Sequence, residues 1–177
     1  MVDLGMDREK ILQKLKSFDE FCGENNLSGN LILIGGAALI LNFGSSRGTM
    51  DIDSLDVGLK DFLSTMKWFD LEQFGISLIN KDFLNLPDDF LDRIKVVKGF
   101  EHIGVYTLGS IDLILSKLGR GNPKDLEDCI LIVEKMDDGE IERLKEIFED
   151  WKIDYVGNER RLVEAFEFIM EGYDREQ

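Results

Sequence analysis

The chain has 177 residues, of which 44% are hydrophobic and 32% are charged. This hydrophobic content is enough to bury a core, so the composition excludes a disordered protein and favours one domain, or one domain with a small helical appendage. The net charge of −15 repels phosphate backbones and therefore excludes general coating of DNA or RNA.

The N-terminal half is predicted to alternate helices and strands. Apolar residues recur there either at helical spacing or in short runs bounded by turn residues. In chain order, the predicted elements are a helix over 7–24, a buried strand over 31–34, a short helix after Gly35 and Gly36, a strand that begins in "MDID" and ends at Gly58, a helix over 59–72 and a strand over 76–80.

The C-terminal half is predicted to contain two strands followed by helices. The segments "RIKVV" and "IGVYTL" have the composition of a β-hairpin, and Ser110 and Asn122 are predicted helix N-caps, with Pro123 at the first helical position. Further helices are predicted near 123–136, 138–151 and 158–172. The whole order predicts an α+β fold, in which a small mixed β-sheet over residues 1–109 is flanked by helices and residues 110–177 form a helical part packed on it.

Targeting and redox features are few. No apolar h-region follows Met1, so we expect no signal peptide, and no apolar run approaches the roughly 18 residues of a membrane span, so we expect no membrane partner. Cys22 and Cys129 lie far apart in helix-like stretches. They are interpreted as buried thiols in a reducing cytoplasm, and a disulfide between them stays open.

Two short motifs flank the helix that follows the first strand. Gly35 and Gly36 allow backbone N–H groups to approach a phosphate, and the helix start adds partial positive charge. Asp51 and Asp53 project from the same face of the predicted strand, with Cα atoms roughly 7 Å apart. Two such carboxylates suit Mg²⁺ or Mn²⁺, with phosphates of a nucleotide as further ligands. Each motif alone also fits a structural turn or a solvated strand end.

The joint pattern, in which "GG" ends one strand and "DID" opens the next, resembles the signature of the DNA polymerase beta-like nucleotidyltransferase superfamily. The segment "RGTMDID" is similar to the Arg-x-Thr-x-Asp-x-Asp form of small bacterial nucleotidyltransferases related to abortive-infection toxins. The later segment "SIDLILSKLGRGNPKDLED" is similar to that group's Ser-x-x-Asp-Leu helix start and following helix. The resemblance implies transfer of a nucleoside monophosphate from a nucleoside triphosphate, with release of pyrophosphate.

The resemblance also implies roles for individual residues. The catalytic groups would be Asp51, Asp53, Lys117 and Asp128, and the nucleotide-binding groups would be Gly35, Gly36, Arg47, Thr49 and Asp125. Asp51 and Asp53 would hold Mg²⁺ or Mn²⁺. Structural alternatives stay open for three of these residues: Arg47 pairing with a surface carboxylate, Lys117 extending from a helix end to solvent, and Asp125 stabilising a helix N-terminus.

Two features depart from the superfamily pattern. Ala37 follows the glycines where many members of the superfamily have a hydroxyl residue within the turn, and "RIKVV" supplies no third carboxylate. The nearest acids are Glu101 and Asp56, and strand alternation turns Asp56 to the face opposite Asp51. A non-catalytic nucleotide-binding or toxin–antitoxin interaction module on the same fold therefore stays open.

The acceptor is left open between a tRNA, a protein and a small molecule. Because the chain is so acidic, a tRNA acceptor would require a concentrated basic patch. The clustered cations that could form one are Arg93, Lys95, Lys98, Lys117, Arg120 and Lys124.

Overall fold

The computed structural model describes residues 5–55 and 71–174. The chain divides into two compact units. The sheet unit consists of Met1–Phe83 and Ile94–Leu108, and the helical unit consists of Leu84–Arg93 and Gly109–Gln177. The fold is α+β with a five-stranded mixed sheet, which confirms the predicted fold class.

The sheet unit carries all five strands of this sheet. Its elements are α1 (Arg8–Glu24), β1 (Gly29–Leu33), α2 (Gly35–Phe43), β2 (Ile52–Leu55), β3 (Ile76–Ile79), a 3₁₀ turn (Lys81–Phe83), β4 (Lys95–Val96) and β5 (Ile103–Thr107). The strand order is β3-β2-β1-β5-β4. Strand β1 runs antiparallel to β2 and parallel to β5, and the predicted hairpin is the antiparallel pair β4–β5.

The core of the sheet unit surrounds β1, which is the central strand. The apolar run predicted as a buried strand has Leu31 and Leu33 fully buried, because neighbouring strands and helices cover both faces. Helix α1 buries Ile11, Leu15 and Phe18, which is the stripe that its helical spacing predicts. The start of α2 is therefore held against a packed sheet.

A buried carboxylate, Asp19, ties α1 to the segment before β5. It accepts hydrogen bonds from the backbone N–H groups of Glu101, His102 and Ile103 at 3.0, 2.8 and 2.9 Å. Burial raises the pKa of Asp19, but the three backbone donors outweigh burial and hold the pKa below its usual value. Asp19 is therefore charged and stabilising at neutral pH.

We expect Asp19→Ala to lower the free energy of unfolding by about 3 kcal/mol at neutral pH, because three backbone N–H groups, one of them buried, lose a charged acceptor. Since the folded-state pKa is depressed, this stabilisation is present above the unfolded-state pKa and is lost as pH falls through the folded-state pKa. Chemical denaturation of wild type and variant at neutral and strongly acidic pH measures the difference. Glu20→Ala, an exposed neighbour on α1, is the control. A pH-independent loss, or none, would contradict this account.

The helical unit is built from four α-helices and two short 3₁₀ turns among its described residues. Its elements are a 3₁₀ turn (Phe90–Arg93), α3 (Ser110–Leu118), α4 (Pro123–Val133), α5 (Asp138–Trp151), a second 3₁₀ turn (Lys152–Asp154) and α6 (Glu159–Asp174). As predicted, Asn122 caps α4 by accepting from the Asp125 N–H at 2.9 Å, and Pro123 takes the first helical position. Helix α5 begins with a capping box formed by Asp137 and Glu140.

The N-cap predicted at Ser110 is wrong. Gly109 occupies the cap position without a side-chain cap bond, and Ser110 is the first residue of α3. The Ser110 hydroxyl instead donates to Glu140 at 3.4 Å. A Cβ atom on Gly109 would clash with the carbonyl oxygen of Arg93, so close backbone packing explains why glycine takes this position.

A buried ion pair explains why residues 84–93 belong to the helical unit. Arg93 donates to the fully buried carboxylate of Asp112 on α3 through two nitrogens, at 2.8 and 2.9 Å, and to Asp89 at 2.6 and 2.8 Å. Burial raises the pKa of Asp112 even though the Arg93 guanidinium opposes this shift. The guanidinium nitrogens of Arg93 thereby hold the 3₁₀ turn against α3.

Several predictions fall at the edge of the described chain. All but the last two positions of the helix predicted over 59–72 lie outside the described residues, as does Asp56.

Both cysteines are buried and free, and burial raises the pKa of each thiol to about 12. Within residues 5–55 and 71–174, no helix is long and apolar enough to cross a membrane.

Candidate nucleotide and metal site

The glycine turn joins β1 directly to α2. Ile34 is the N-cap residue of α2 and has no side-chain capping bond, and Gly35 begins the helix with a φ of +57°. This left-handed conformation favours glycine, which lacks the Cβ atom that would be strained there. The Ile34 N–H donates to the carbonyl oxygen of Asp53 at 2.9 Å, so the turn is tied to β2 by its backbone.

The turn and the aspartate pair come together because of strand direction. Strand β2 is antiparallel to β1, with Leu33 opposite Ser54, so the beginning of β2 lies beside the end of β1. An ideal Cβ atom on Gly35 would stand 3.5 Å from Oδ2 of Asp53. The Asp53 carboxylate therefore lies against the glycine turn, as the sequence pattern predicts.

Thr49 packs against the second glycine. An ideal Cβ atom on Gly36 would stand only 2.6 Å from the Thr49 hydroxyl oxygen, so the missing side chain makes room for Thr49. The same hydroxyl donates to the carbonyl oxygen of Asp51 at 3.1 Å. Asp51 is exposed and Asp53 is half-buried, so one carboxylate faces solvent while the other is partly enclosed.

A short N-terminal segment holds the loop before β2, and sequence reasoning missed it. Met6 is buried and forms a two-bond antiparallel bridge with Thr49, with N–O distances of 2.6 and 3.1 Å. Gly5, with a φ of +75°, packs on the Thr49 backbone. The only sequence signal is a glycine between two apolar residues, Leu4 and Met6, which does not identify the partner of Met6.

The donor set fits a hard cation that shares its coordination with phosphates. Asp51 and Asp53 offer carboxylate oxygens, and Mg²⁺ commonly binds one or two carboxylates together with substrate phosphates and water. In the part of the chain that the structure describes, no group of three or more His, Cys, Asp or Glu residues is placed to hold a metal. The pair therefore suits a metal that arrives with a nucleotide better than a closed structural metal site.

Arg47 lies in the same loop, half-buried, with its backbone N–H donating to the Ser45 hydroxyl at 3.2 Å. Its predicted role with phosphates stays a prediction. The structure thus places Asp53 against Gly35 and Thr49 against Gly36 within the sheet unit, with Arg47 in the adjoining loop. Asp51 lies just before β2 and is joined to Thr49 through its backbone carbonyl.

The other predicted site residues form a second cluster in the helical unit. The Nζ atom of Lys117 lies 2.7 Å from Asp128 and 3.6 Å from Asp125. Lys117 is 3% exposed, so the alternative in which it extends to solvent is wrong. Asp125 also accepts from Arg120 at 2.9 Å and from the Asn122 side chain, which matches the alternative of a carboxylate at a helix N-terminus.

Comparison with known proteins identifies the family. A family described as "Nucleotidyltransferase of unknown function (DUF6036)" matches residues 10–177. The chain belongs to this nucleotidyltransferase family. No curated protein and no solved structure matches the chain. The family match includes both clusters of the nucleotidyltransferase but not Met6, so only the Thr49 side of the Met6–Thr49 bridge lies within the matched region.

In this nucleotidyltransferase, we expect Gly36→Ala to weaken triphosphate binding at least several-fold and to lower the free energy of unfolding by about 1–3 kcal/mol. The added methyl group would overlap the Thr49 side chain and displace the loop that carries Asp51. Calorimetric titration and denaturation measure the two effects. Gly172→Ala is the matched control, because outside its chain neighbours and its own helix backbone no described atom lies within 4 Å of a Cβ there. Wild-type binding by Gly36→Ala would contradict this packing argument.

Proposed function

We propose that this nucleotidyltransferase transfers a nucleoside monophosphate from a nucleoside triphosphate to an acceptor hydroxyl, and that it belongs to the polymerase beta-like superfamily in the branch related to abortive-infection proteins. The observation that carries the proposal is the 3.5 Å approach of the Asp53 carboxylate to the Cβ position of Gly35. It sets the glycine turn at the start of α2 next to the Asp53 carboxylate, and a metal-bound triphosphate requires a phosphate-binding turn beside a metal-binding carboxylate.

In the proposed reaction, the acceptor oxygen attacks the α-phosphorus. A bond forms between them, the bridging bond between the α- and β-phosphates breaks, pyrophosphate leaves with the electron pair, and the hydroxyl proton is released. The backbone N–H groups at Gly35 and Gly36 would hold phosphate oxygens, while Asp51 and Asp53 would hold Mg²⁺ or Mn²⁺. The bound metal supplies charge neutralisation and alignment of the phosphates. Thr49 would keep the Asp51 loop against the glycine turn.

The acceptor is proposed to be a protein or small-molecule hydroxyl rather than a tRNA. Of the cations that would form a basic patch, Arg93 pairs with Asp89 and Asp112, and Arg120 pairs with Asp125. Lys117 is buried between carboxylates. These three charges are neutralised within the protein, which weakens the electrostatic attraction for an RNA backbone.

A second candidate function is a non-catalytic nucleotide-binding or toxin–antitoxin interaction module. One observation favours it: among the described residues, no third His, Cys, Asp or Glu joins Asp51 and Asp53 as a metal ligand. Such a module would bind a triphosphate with Mg²⁺ through the same turn but would leave it intact.

Matched assays with α-labelled and γ-labelled triphosphates test the proposal. Each common nucleoside triphosphate is incubated with the protein, Mg²⁺ and a cell extract separated into protein, RNA and small-molecule fractions. Transfer predicts that the α-label enters an acceptor while the γ-label is released as pyrophosphate. Retention of both labels in the triphosphate, despite Mg²⁺-dependent binding, favours the module. Transfer of the γ-label would identify phosphoryl transfer and contradict the proposal.

A further inference from the structure

The helical unit contains a cavity of about 330 Å³ at the C-terminal end of α5. Its apolar wall includes Leu86, Pro87 and Ile147, and the rings of Trp151 and Tyr155 also line it. The volume falls in the range of small-ligand sites, which are about 300–1,000 Å³. The proposed transfer reaction assigns no role to any residue that lines this cavity.

Hydrogen bonds fix the aromatic wall in place. The indole N–H of Trp151 donates to the carbonyl oxygen of Asn85 at 2.5 Å, which ties α5 to the segment opposite. The Tyr155 hydroxyl donates to the carbonyl oxygen of Gly119 at 3.2 Å. The two rings lie 5.4 Å apart at an angle of 52°. Both polar ends are therefore satisfied within the protein, and both side chains line the cavity.

The charged residues that line the cavity are all acidic. Four aspartates line it, namely Asp88, Asp89, Asp150 and Asp154, and the lining includes no lysine, arginine or histidine. Asp89 is neutralised by Arg93. Within the described part of the chain, no ion pair involves the other three, all of which are exposed at the rim. Carboxylates together with aromatic faces form the combination that binds organic cations.

The backbone at the C-terminal end of α5 also favours a bound cation. Helix α5 ends at Trp151, where the carbonyl ends of a helix carry partial negative charge. A helix C-terminus favours a basic residue in its last turn, yet α5 has none there, and Asp150 adds a further negative charge. Lys152, at the C-cap, pairs with Glu149 and does not line the cavity. A bound cation would offset this local excess of negative charge.

A bare metal ion does not explain the cavity. No three acidic, histidine or cysteine residues in the described chain are placed to ligate a metal, so these aspartates do not converge on one point. A cation with an apolar body uses the rings and the apolar wall as well as the dispersed carboxylates. We propose that this cavity is a binding site for an organic cation, an ammonium or guanidinium group on an apolar stem.

Trp151 provides a direct readout of binding in the full chain. The sequence contains two tryptophans, so Trp68→Phe leaves Trp151 as the only indole. The probes are choline, butylamine and N-acetyl-lysine N-methylamide, which represent free quaternary, free primary and polypeptide-borne cations. The matched neutral control is 3,3-dimethylbutanol, which has the shape of choline without its charge. We expect saturable quenching by at least one cation and at least about a fivefold weaker response to the neutral control.

Charge variants separate this cavity from non-specific effects. Asp150→Asn and Asp154→Asn are each expected to weaken binding about threefold to fivefold, because each removes one solvent-exposed carboxylate that would contact the cation. Glu146→Gln, an exposed acid on the same helix that does not line the cavity, should leave binding unchanged. The proposal is overturned if no cation gives saturable quenching, if the neutral control binds equally, or if Glu146→Gln weakens binding as much as Asp150→Asn.

Discussion

Asp53→Asn is expected to reduce nucleotidyl transfer by at least about a hundredfold. Asparagine keeps the size of the side chain but removes the negative charge that would hold the metal beside the glycine turn. Changes to outer-shell partners of metal ligands already cost about 10–100-fold, so loss of a ligand itself should cost more. Initial rates of α-label transfer, with Mg²⁺ and triphosphate at saturating concentration, measure the effect.

A spectroscopic comparison and a charge-matched control separate loss of the metal site from loss of the fold. Asp53→Asn and wild type should have the same circular dichroism spectrum, because the strand hydrogen bonds of β2 are made by its backbone. Asp82→Asn, which removes a charge from an exposed position of the same unit, should transfer at the wild-type rate. Activity of Asp53→Asn equal to that of Asp82→Asn would mean that Asp53 is not a metal ligand.

Lys117→Met is expected to lower the free energy of unfolding by about 3–5 kcal/mol, because it removes the cation that pairs with the buried Asp128 carboxylate. Lys117 is 3% exposed and lies 2.7 Å from Asp128. The double variant Lys117→Met/Asp128→Leu removes both charges and should recover most of the loss, since an apolar pair replaces a buried ion pair at little cost. Equilibrium denaturation of the wild type, the single variant and the double variant measures the coupling.

A surface pair provides the control for this experiment. Lys145 and Glu142 form an ion pair at 2.8 Å with side chains 45% and 69% exposed, so Lys145→Met should cost less than about 1 kcal/mol. A Lys117→Met variant as stable as Lys145→Met would contradict the assignment of a buried ion pair. Transfer by the folded double variant then shows whether Lys117 and Asp128 act in the reaction, as the family resemblance implies, or only in stability.

The elements that local chemistry determines were predictable from sequence. Helix α4 begins where Asn122 and Pro123 predict, because the cap bond and the fixed φ of proline act within one turn. Helix α5 spans the predicted residues 138–151. The proximity of Gly35 and Asp53 agrees with the family resemblance, which implied one site for the two motifs; the antiparallel pairing of β1 and β2 that produces it was not predicted.

The features that were missed depend on contacts distant in sequence. Gly109, and not Ser110, takes the cap position of α3, at a place where the carbonyl oxygen of Arg93 leaves no room for a side chain. Met6 pairs with Thr49 through backbone atoms, which no side-chain pattern encodes. The cavity at Trp151 forms only when the segment near Asn85 meets the end of α5. Such contacts follow from tertiary packing, which single-sequence patterns do not specify.

The most direct test of the nucleotide and metal site is calorimetric titration of a triphosphate with a non-cleavable bond between its α- and β-phosphates. The titration is carried out with and without Mg²⁺ on wild type and on the Asp51→Asn/Asp53→Asn variant. We expect that wild type binds the triphosphate only when Mg²⁺ is present and that the variant loses this dependence together with most of its affinity. Equal binding by the two proteins in Mg²⁺, or no binding of any common base by wild type, would contradict the account.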